Sequence, residues 1–294
     1  MTAGLRVLIT GAGGQVGRAL IARVPAGVDV RAPVRSALDI GDRAQVDAYV
    51  ASLRPDVIIN AAAYTAVDKA ESDEAGAARV NADGARNLAR ALVDLPRARL
   101  IHISTDFVFD GRACAPYAPT AAAAPLGVYG ASKLAGEHAV LGTLENRAIV
   151  VRTAWVYAAY GRNFLLTMLR LMAERGEVRV VADQVGTPTA ALPLAQVLWR
   201  FARQPGIAGV FHWTDAGVAS WYDFAVAIAE EAAAIGLLRR AVTVVPIATD
   251  EYPTPAKRPA YSVLDKRATV AALGIRPRHW RAELRSVLGE LAVA

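Results

Sequence analysis

A single cysteine, Cys114, in 294 residues excludes an intrachain disulfide framework and points to a reducing compartment. Charged residues make up only 20% and aromatic residues 7%, whereas 54% are apolar, which is not the composition of a disordered chain. Lysine is scarce, confined to Lys69, Lys133, Lys257 and Lys266. The 33 basic residues therefore exceed the 27 acidic ones through scattered arginines, with no basic run longer than two. A dedicated nucleic-acid surface is not expected from that pattern; a mild preference for anionic small molecules fits it equally well. Long apolar runs are missing too. Val7-Leu8-Ile9 meets glycines well short of the roughly 7–15 apolar residues of a signal core, and nothing approaches the roughly 20 of a membrane span. The expectation is a soluble cytoplasmic protein with no membrane partner, long enough for one large domain or two ordinary ones.

What is present is alternation. Leu5–Thr10, Val28–Val34, Val57–Ala62, Leu100–Ser104 and Ala148–Arg152 read as apolar strands. Between them lie helical patterns at Gln15–Val24, from Asp42 as N-cap to Leu53, at Ala75–Val93 and at Tyr129–Leu141. Apolar strands separated by helices predict an α/β fold, a doubly wound Rossmann-type parallel sheet covered on both faces. The second half is less regular. Helices are expected at Asn163–Arg175, Leu194–Arg203, Trp221–Ile235 and His279–Leu291, strands at Val178–Ala182, Val210–Trp213 and Val242–Pro246, and a proline-rich loop at Ile247–Ala260. A soft boundary near residue 155 divides a dinucleotide-binding domain, 1–155, from a smaller α/β substrate-binding lobe, 156–294, some of whose segments return to the sheet.

Glycines at 11, 14 and 17 follow the first strand and open the first helix. They suit a tight turn, close approach of a pyrophosphate and close helix–strand packing, with the free N–H groups of Gln15, Val16 and Gly17 at a positive helix end. The alternative is a glycine turn serving packing alone. After the second strand come Arg35 and Ser36, with no acid until Asp39, which favours the 2′-phosphate of NADPH over the ribose hydroxyl of NADH, although NADH is not excluded. Asp39 and Ile40 are candidates to flank the adenine.

Tyr129 and Lys133 stand four residues apart, on one face of a helix. A lysine ammonium there would lower the phenol's pKa and make it a usable acid. Ser104-Thr105-Asp106 ends the fourth strand and Asn60-Ala61-Ala62-Ala63 the third, at the sheet edge where open α/β sheets bind ligands. The four histidines show no metal-ligand spacing; His102 reads as a hydrogen-bonded core residue and His138 as an exposed helix position.

These motifs, with NAAAYTAVDKAE from Asn60, STDFVFDG from Ser104, YGASKLAGE from Tyr129, RTAWVY from Arg152, DQVGTPT from Asp183 and YPTPAKRP from Tyr252, resemble the extended short-chain dehydrogenase/reductase superfamily. Within it the chain is similar, over nearly its whole length, to the dTDP-4-dehydrorhamnose reductase family. The resemblance implies reduction of the C4 ketone of a dTDP-linked 6-deoxy-4-keto sugar. Tyr129 would donate the proton, Thr105 would hydrogen-bond the same oxygen, and Lys133 would tune Tyr129 and hold the nicotinamide ribose. Ser104, Ala62, Ala63, Tyr64 and Thr65 would line the cofactor groove. Val67, Asp68, Asp106, Trp155, Asn163 and Arg258 are the candidates for the sugar nucleotide. Trp155 could instead be a core residue and Arg258 a solvated one, while Asp183 and Gln184 are expected to shape a loop between the lobes.

The pattern also departs from the family. The glutamates that support a Mg²⁺-bridged dimer in some members correspond to Ala19 and Leu192, leaving only Glu290, so no metal is expected, and a monomer or weak homodimer. Arg162, after Gly161, bears on the sugar-lobe entrance. Phe107 follows Thr105-Asp106 where a dehydratase would carry a second acid, which weighs against elimination. An epimerase with retained cofactor and a non-catalytic regulatory homologue are the remaining rivals; the intact Thr105, Tyr129 and Lys133 argue against the latter.

Overall fold

Runs of Val, Ile and Leu without polar interruption form one six-stranded sheet in the computed structural model, which describes residues 4–293. The spatial order is Gly209–His212, Ala148–Thr153, Arg99–Thr105, Val57–Asn60, Leu5–Thr10 and Val28–Arg31, all neighbours parallel. Side chains alternate between faces. Val7, Ile9, Ile59 and Ile101 pack under helices Gln15–Ala22 and Ala191–Arg203. Leu8, Ile58 and Leu100 pack under Arg43–Leu53, Gly84–Ala91 and Val128–Leu144. Both faces are buried, which is why the strands read as continuous apolar runs.

Strand order creates the site. From Leu5–Thr10 the chain moves outward to Val28–Arg31, then crosses back to Val57–Asn60 on the other flank of the first strand. Loops leaving the two paired strand ends diverge, and a crevice opens between them.

The second lobe has its own core. Tyr157, Leu165, Met172, Phe224, Ile228, Leu284 and Leu288 gather helices Phe164–Glu174, Trp221–Ala234 and Trp280–Val293 against the paired strands Glu177–Val181 and Thr243–Ile247. The chain beyond residue 155 is shared between the two bodies. Helix Ala191–Arg203 and strand Gly209–His212 lie on and in the main sheet, and the Trp199 indole N–H donates to the Leu20 carbonyl at 3.0 Å.

Three sequence expectations need correction. The second strand stops at Arg31 rather than Val34, because Pro33 has no N–H for the ladder. The long helix over Ala75–Val93 is broken into Glu74–Ala78, a π turn at Arg79–Asp83, and Gly84–Ala91. A short helix, Arg267–Leu273, ended by left-handed Gly274 (φ 64°), was not anticipated. The proline-rich loop holds one 3₁₀ turn, Thr249–Glu251. No helix of the described residues is long and apolar enough to cross a membrane.

Candidate active site

A cleft of about 950 Å³ runs along the carboxyl edge of the sheet, between the two bodies. Of the residues expected at a site, Gly11, Gly14, Gln15, Val16, Arg35, Asp39, Ile40, Ala62, Ala63, Tyr64, Thr65, Val67, Ser104, Thr105, Asp106, Tyr129, Lys133, Trp155 and Arg258 all line it. Gly17, Asp68 and Asn163 do not; they stand behind it.

At one end is the glycine loop. Gly11 has φ +71°, and a Cβ on it would stand 2.5 Å from the Ala61–Ala62 backbone, so the first and third strand ends could not approach as they do with any other residue. A Cβ on Gly17 would collide with the Gly11 carbonyl. No side chain caps helix Gln15–Ala22, so its first N–H groups stay available to an anion. This cradle fits a dinucleotide pyrophosphate. Toward the expected adenine end, burial pushes the Asp39 carboxyl up, but the Arg79 hydrogen bond and the Gly41 N–H outweigh it and the net shift is downward. Arg79 grips Asp39 at 2.6 Å while Arg35 lies 3.9 Å away and largely exposed. Asp39 is thus held chiefly by Arg79, and the looser, largely exposed Arg35 can turn to a further anion.

In the middle, Tyr129 is half-buried and Thr105, Asp106 and Lys133 are buried. Desolvation pushes the Tyr129 phenol up to about 12, the Thr105 hydroxyl beside it pulls it partway down, and the Asp106 charge adds to the rise. Lys133 lies buried one turn along the same helix. Its Nζ donates to the Ile103 carbonyl at 2.6 Å, and burial lowers it to about 8 despite the Glu137 charge one turn on. Glu137 itself is locked in a fork with Arg152 at 2.6 and 2.9 Å and accepts from the Ser104 hydroxyl, so Ser104 lines the cleft with its hydroxyl turned inward. Asp106 accepts from Thr105 Oγ1 at 3.1 Å, and burial raises its carboxyl to about 6.

On the lobe side, Trp155 has φ +48°, a strained conformation for a bulky residue. It is held there by a parallel stack on Trp221 at 3.6 Å, with Gly186 leaving room behind its ring. Trp155 is therefore a cleft residue, half of an indole pair. Arg258 is not solvated: it forks Asp68 at 2.8 and 3.0 Å and donates to Thr254 Oγ1 at 2.6 Å, which pins the proline-rich loop to the cleft. Asp68 thereby holds Arg258. Asp183 and Gln184 both hydrogen-bond Thr249 and fasten the neighbouring loop. Asn163 caps helix Phe164–Glu174 through Leu166 N–H and donates to Gln15 Oε1 at 2.8 Å, so it ties the lobe to the glycine loop.

Sequence reasoning missed three members of this assembly. Trp221 opens a helix at a Ser220–Asp223 capping box, a signal that was present but did not point to the cleft. Arg79 and Asn81 come from the π turn, which helical periodicity cannot foresee. Asn81 clamps Tyr64 through both its N–H (2.8 Å) and its carbonyl (3.1 Å) and donates to Ser132 at 3.0 Å. The positions matching the metal-supporting glutamates of some family members have a different character here. Leu192 and Glu290 line a second cleft together with Arg23, Arg200, Arg276, Arg278 and Glu283, a charge balance that does not suit a divalent cation.

Comparison with known proteins extends these observations. The family model of the RmlD substrate binding domain matches residues 5–293. A dTDP-4-dehydrorhamnose reductase of Mycobacterium tuberculosis is 45% identical over 96% of this chain and 92% of its own. A probable dTDP-4,6-dihydroxy-2-methyloxan-3-one 4-ketoreductase of Streptomyces antibioticus is 43% identical over 99% of this chain and 97% of its own. Among solved structures, dTDP-4-dehydrorhamnose reductase of Bacillus anthracis in complex with NADP superposes with a TM-score of 0.91 at 38% identity, covering 98% of this chain and 99% of that one.

Proposed function

The chain belongs to the RmlD substrate binding domain family, and from that premise we propose that it reduces the C4 ketone of dTDP-4-dehydro-β-L-rhamnose to dTDP-L-rhamnose with NADPH. The observation that carries this reading is the convergence of Tyr129, Thr105 and Lys133 in one cleft with the uncapped glycine-loop helix. Bound NADPH would supply the hydride. The glycine loop and the N–H groups of Gln15 and Val16 would hold its pyrophosphate, Arg35 its 2′-phosphate, and Ala62, Ala63, Tyr64 and Thr65 the groove wall. NADH, lacking that phosphate, would bind more weakly.

Tyr129, raised to about 12, is fully protonated at neutral pH and donates as negative charge grows on the substrate oxygen. The Thr105 hydroxyl turns from Asp106 to become a second donor to that oxygen. Lys133 holds the nicotinamide ribose. Val67, Asp106 and the exposed edge of the Trp155–Trp221 pair receive the sugar nucleotide, and Arg258, kept in place by Asp68, faces its diphosphate. Asn163 acts through Gln15 rather than by touching the sugar.

A second reading, a 4-ketoreductase of a different dTDP-keto sugar, is favoured by the nearly equal similarity to the Streptomyces antibioticus protein. One experiment separates them: NADPH consumption with dTDP-4-dehydro-L-rhamnose beside dTDP-4-keto-6-deoxy-D-glucose, followed by NMR of the product. Turnover of the first giving dTDP-L-rhamnose supports the main reading. Turnover of the second alone replaces it, and no NADPH consumption with either overturns the main reading.

A further inference from the structure

Beneath the cleft lies a buried histidine to which the proposed reaction gives no task. His102, 1% exposed, sits on strand Arg99–Thr105 between Asn60 and Lys133. Its protonation state can be worked out from a backbone group. The Ala62 N–H can only donate, and it meets Asn60 Oδ1 at 3.2 Å; the Thr10 hydroxyl donates to the same oxygen at 2.6 Å. Asn60 must therefore turn its Nδ2, which carries only hydrogens, toward His102 Nδ1 at 2.9 Å. Nδ1 is then an acceptor. In a ring kept neutral by burial, the single proton sits on Nε2. Nε2 lies 3.5 Å from Lys133 Nζ.

We propose that His102 is a positioning residue for Lys133: Asn60 locks it as the Nε2–H tautomer, and that N–H faces Nζ, disfavours the ammonium and directs the amine's hydrogens to the Ile103 carbonyl. An N–H dipole pointing at an ammonium is repulsive, whereas the lone pair of a neutral amine accepts it. The role rests on the reading of Lys133 as the partner of Tyr129. A lysine that releases its proton readily can return one to the Tyr129 phenolate after turnover, becoming neutral as the phenol re-forms, and take its next proton from water. His102 cannot itself pass protons onward, because its Nδ1 is met by the Asn60 amide N–H, which is too weak an acid to relay a proton.

The other charges around Lys133 are accounted for. Glu137, on its own helix, favours the ammonium but is shared with Arg152 from strand Ala148–Thr153. Asp106, beyond Thr105, acts on Tyr129. From the helices of residues 67–91, Asp68 is taken by Arg258, Glu71 accepts the Val128 N–H, and the contact through Asn81 and Ser132 is uncharged.

The test uses the whole protein. In ¹⁵N-histidine-labelled protein without ligands, long-range ¹H–¹⁵N spectra should show the His102 ring neutral with its proton on Nε2, its signal identified by loss in His102→Asn or His102→Gln. Because the chain has only Lys69, Lys133, Lys257 and Lys266, the Cε signals can be followed one by one with pH. Lys133 should titrate near 8 in the native protein. His102→Asn keeps an acceptor for Asn60 and removes the N–H at Nζ, so Lys133 should titrate higher by about one pH unit. His102→Gln, which restores an N–H there, should leave it near the native value. The alkaline limb of kcat should follow the same order. A proton on Nδ1, a charged ring, or a Lys133 titration equal in all three proteins overturns the proposal. The spectra need no substrate, so they decide it even if the reductase reading fails; should His102→Asn not fold, the tautomer and charge of the native ring still decide it.

Discussion

Asp106 shows how a single buried atom sets both stability and pH response. Among the described residues its buried Oδ2 finds no well-aligned hydrogen-bond partner, and burial raises the carboxyl to about 6 from 3.8 although Ser262 and Thr105 pull it down. The folded protein thus binds this proton more tightly than the unfolded chain does. The charged group costs stability above about pH 6, the cost shrinks as pH falls through that value, and it disappears below the unfolded pKa. Asp106→Asn should therefore stabilise the protein by about 1–2 kcal/mol near pH 8 and by almost nothing near pH 4. Urea midpoints at the two pH values check this; a variant that is less stable at the higher pH contradicts it. Tyr129→Phe, in the first turn of helix Val128–Leu144, removes only the donor. Cofactor affinity should hold while kcat falls by roughly 10²–10⁴-fold; a variant with unchanged kcat would take the proton-donor role away from Tyr129.

Helices in the second lobe are joined by charge as well as by apolar packing. Glu231, on Trp221–Ala234, receives Arg285 at 2.7 and 2.8 Å and Arg281 at 2.7 Å, both from the terminal helix. Arg285 foremost, with Arg281, holds its carboxyl at about 2, below the ordinary 4.5. A depressed pKa means this contribution is complete above about 4.5 and is lost as pH falls toward 2. Because both arginines are substantially solvated, Glu231→Gln should cost only about 1 kcal/mol at neutral pH. Chemical denaturation of the two proteins should converge between those pH values; a gap that persists at pH 2 refutes the assignment. At this scale the sequence was legible where pattern is local. Leu5–Thr10 matches its strand to the residue, and Asp42 accepts the Gln45 N–H as the expected N-cap. It was not legible at Arg79–Asp83, where one extra residue per turn rotates Arg79 onto Asp39 and Asn81 onto Tyr64. Nothing in the apolar spacing marks that slip, because its reward lies in contacts with distant segments.

The two bodies are coupled through the glycine loop. Asn163 caps a lobe helix and donates to Gln15, Ala158 and Tyr160. Asn163→Ala removes the cap and leaves these acceptors unpaired, so it should destabilise the protein by about 2 kcal/mol and weaken NADPH binding together. Calorimetric titration of the cofactor beside a urea melt tests the pair; lost stability with unchanged affinity would mean the lobe does not hold the loop. The sequence by itself determined the alternating sheet, the glycine turn and the identities of Tyr129, Lys133 and Thr105, because strand and helix periods and the needs of proton donation are written within a few neighbouring residues. Tertiary structure alone decided that Asn163 serves Gln15, that Asp68 serves Arg258, that Trp221 backs Trp155 and that His102 faces Lys133. Each of these depends on side chains from separate segments meeting in space, and no local pattern encodes a distance across the fold.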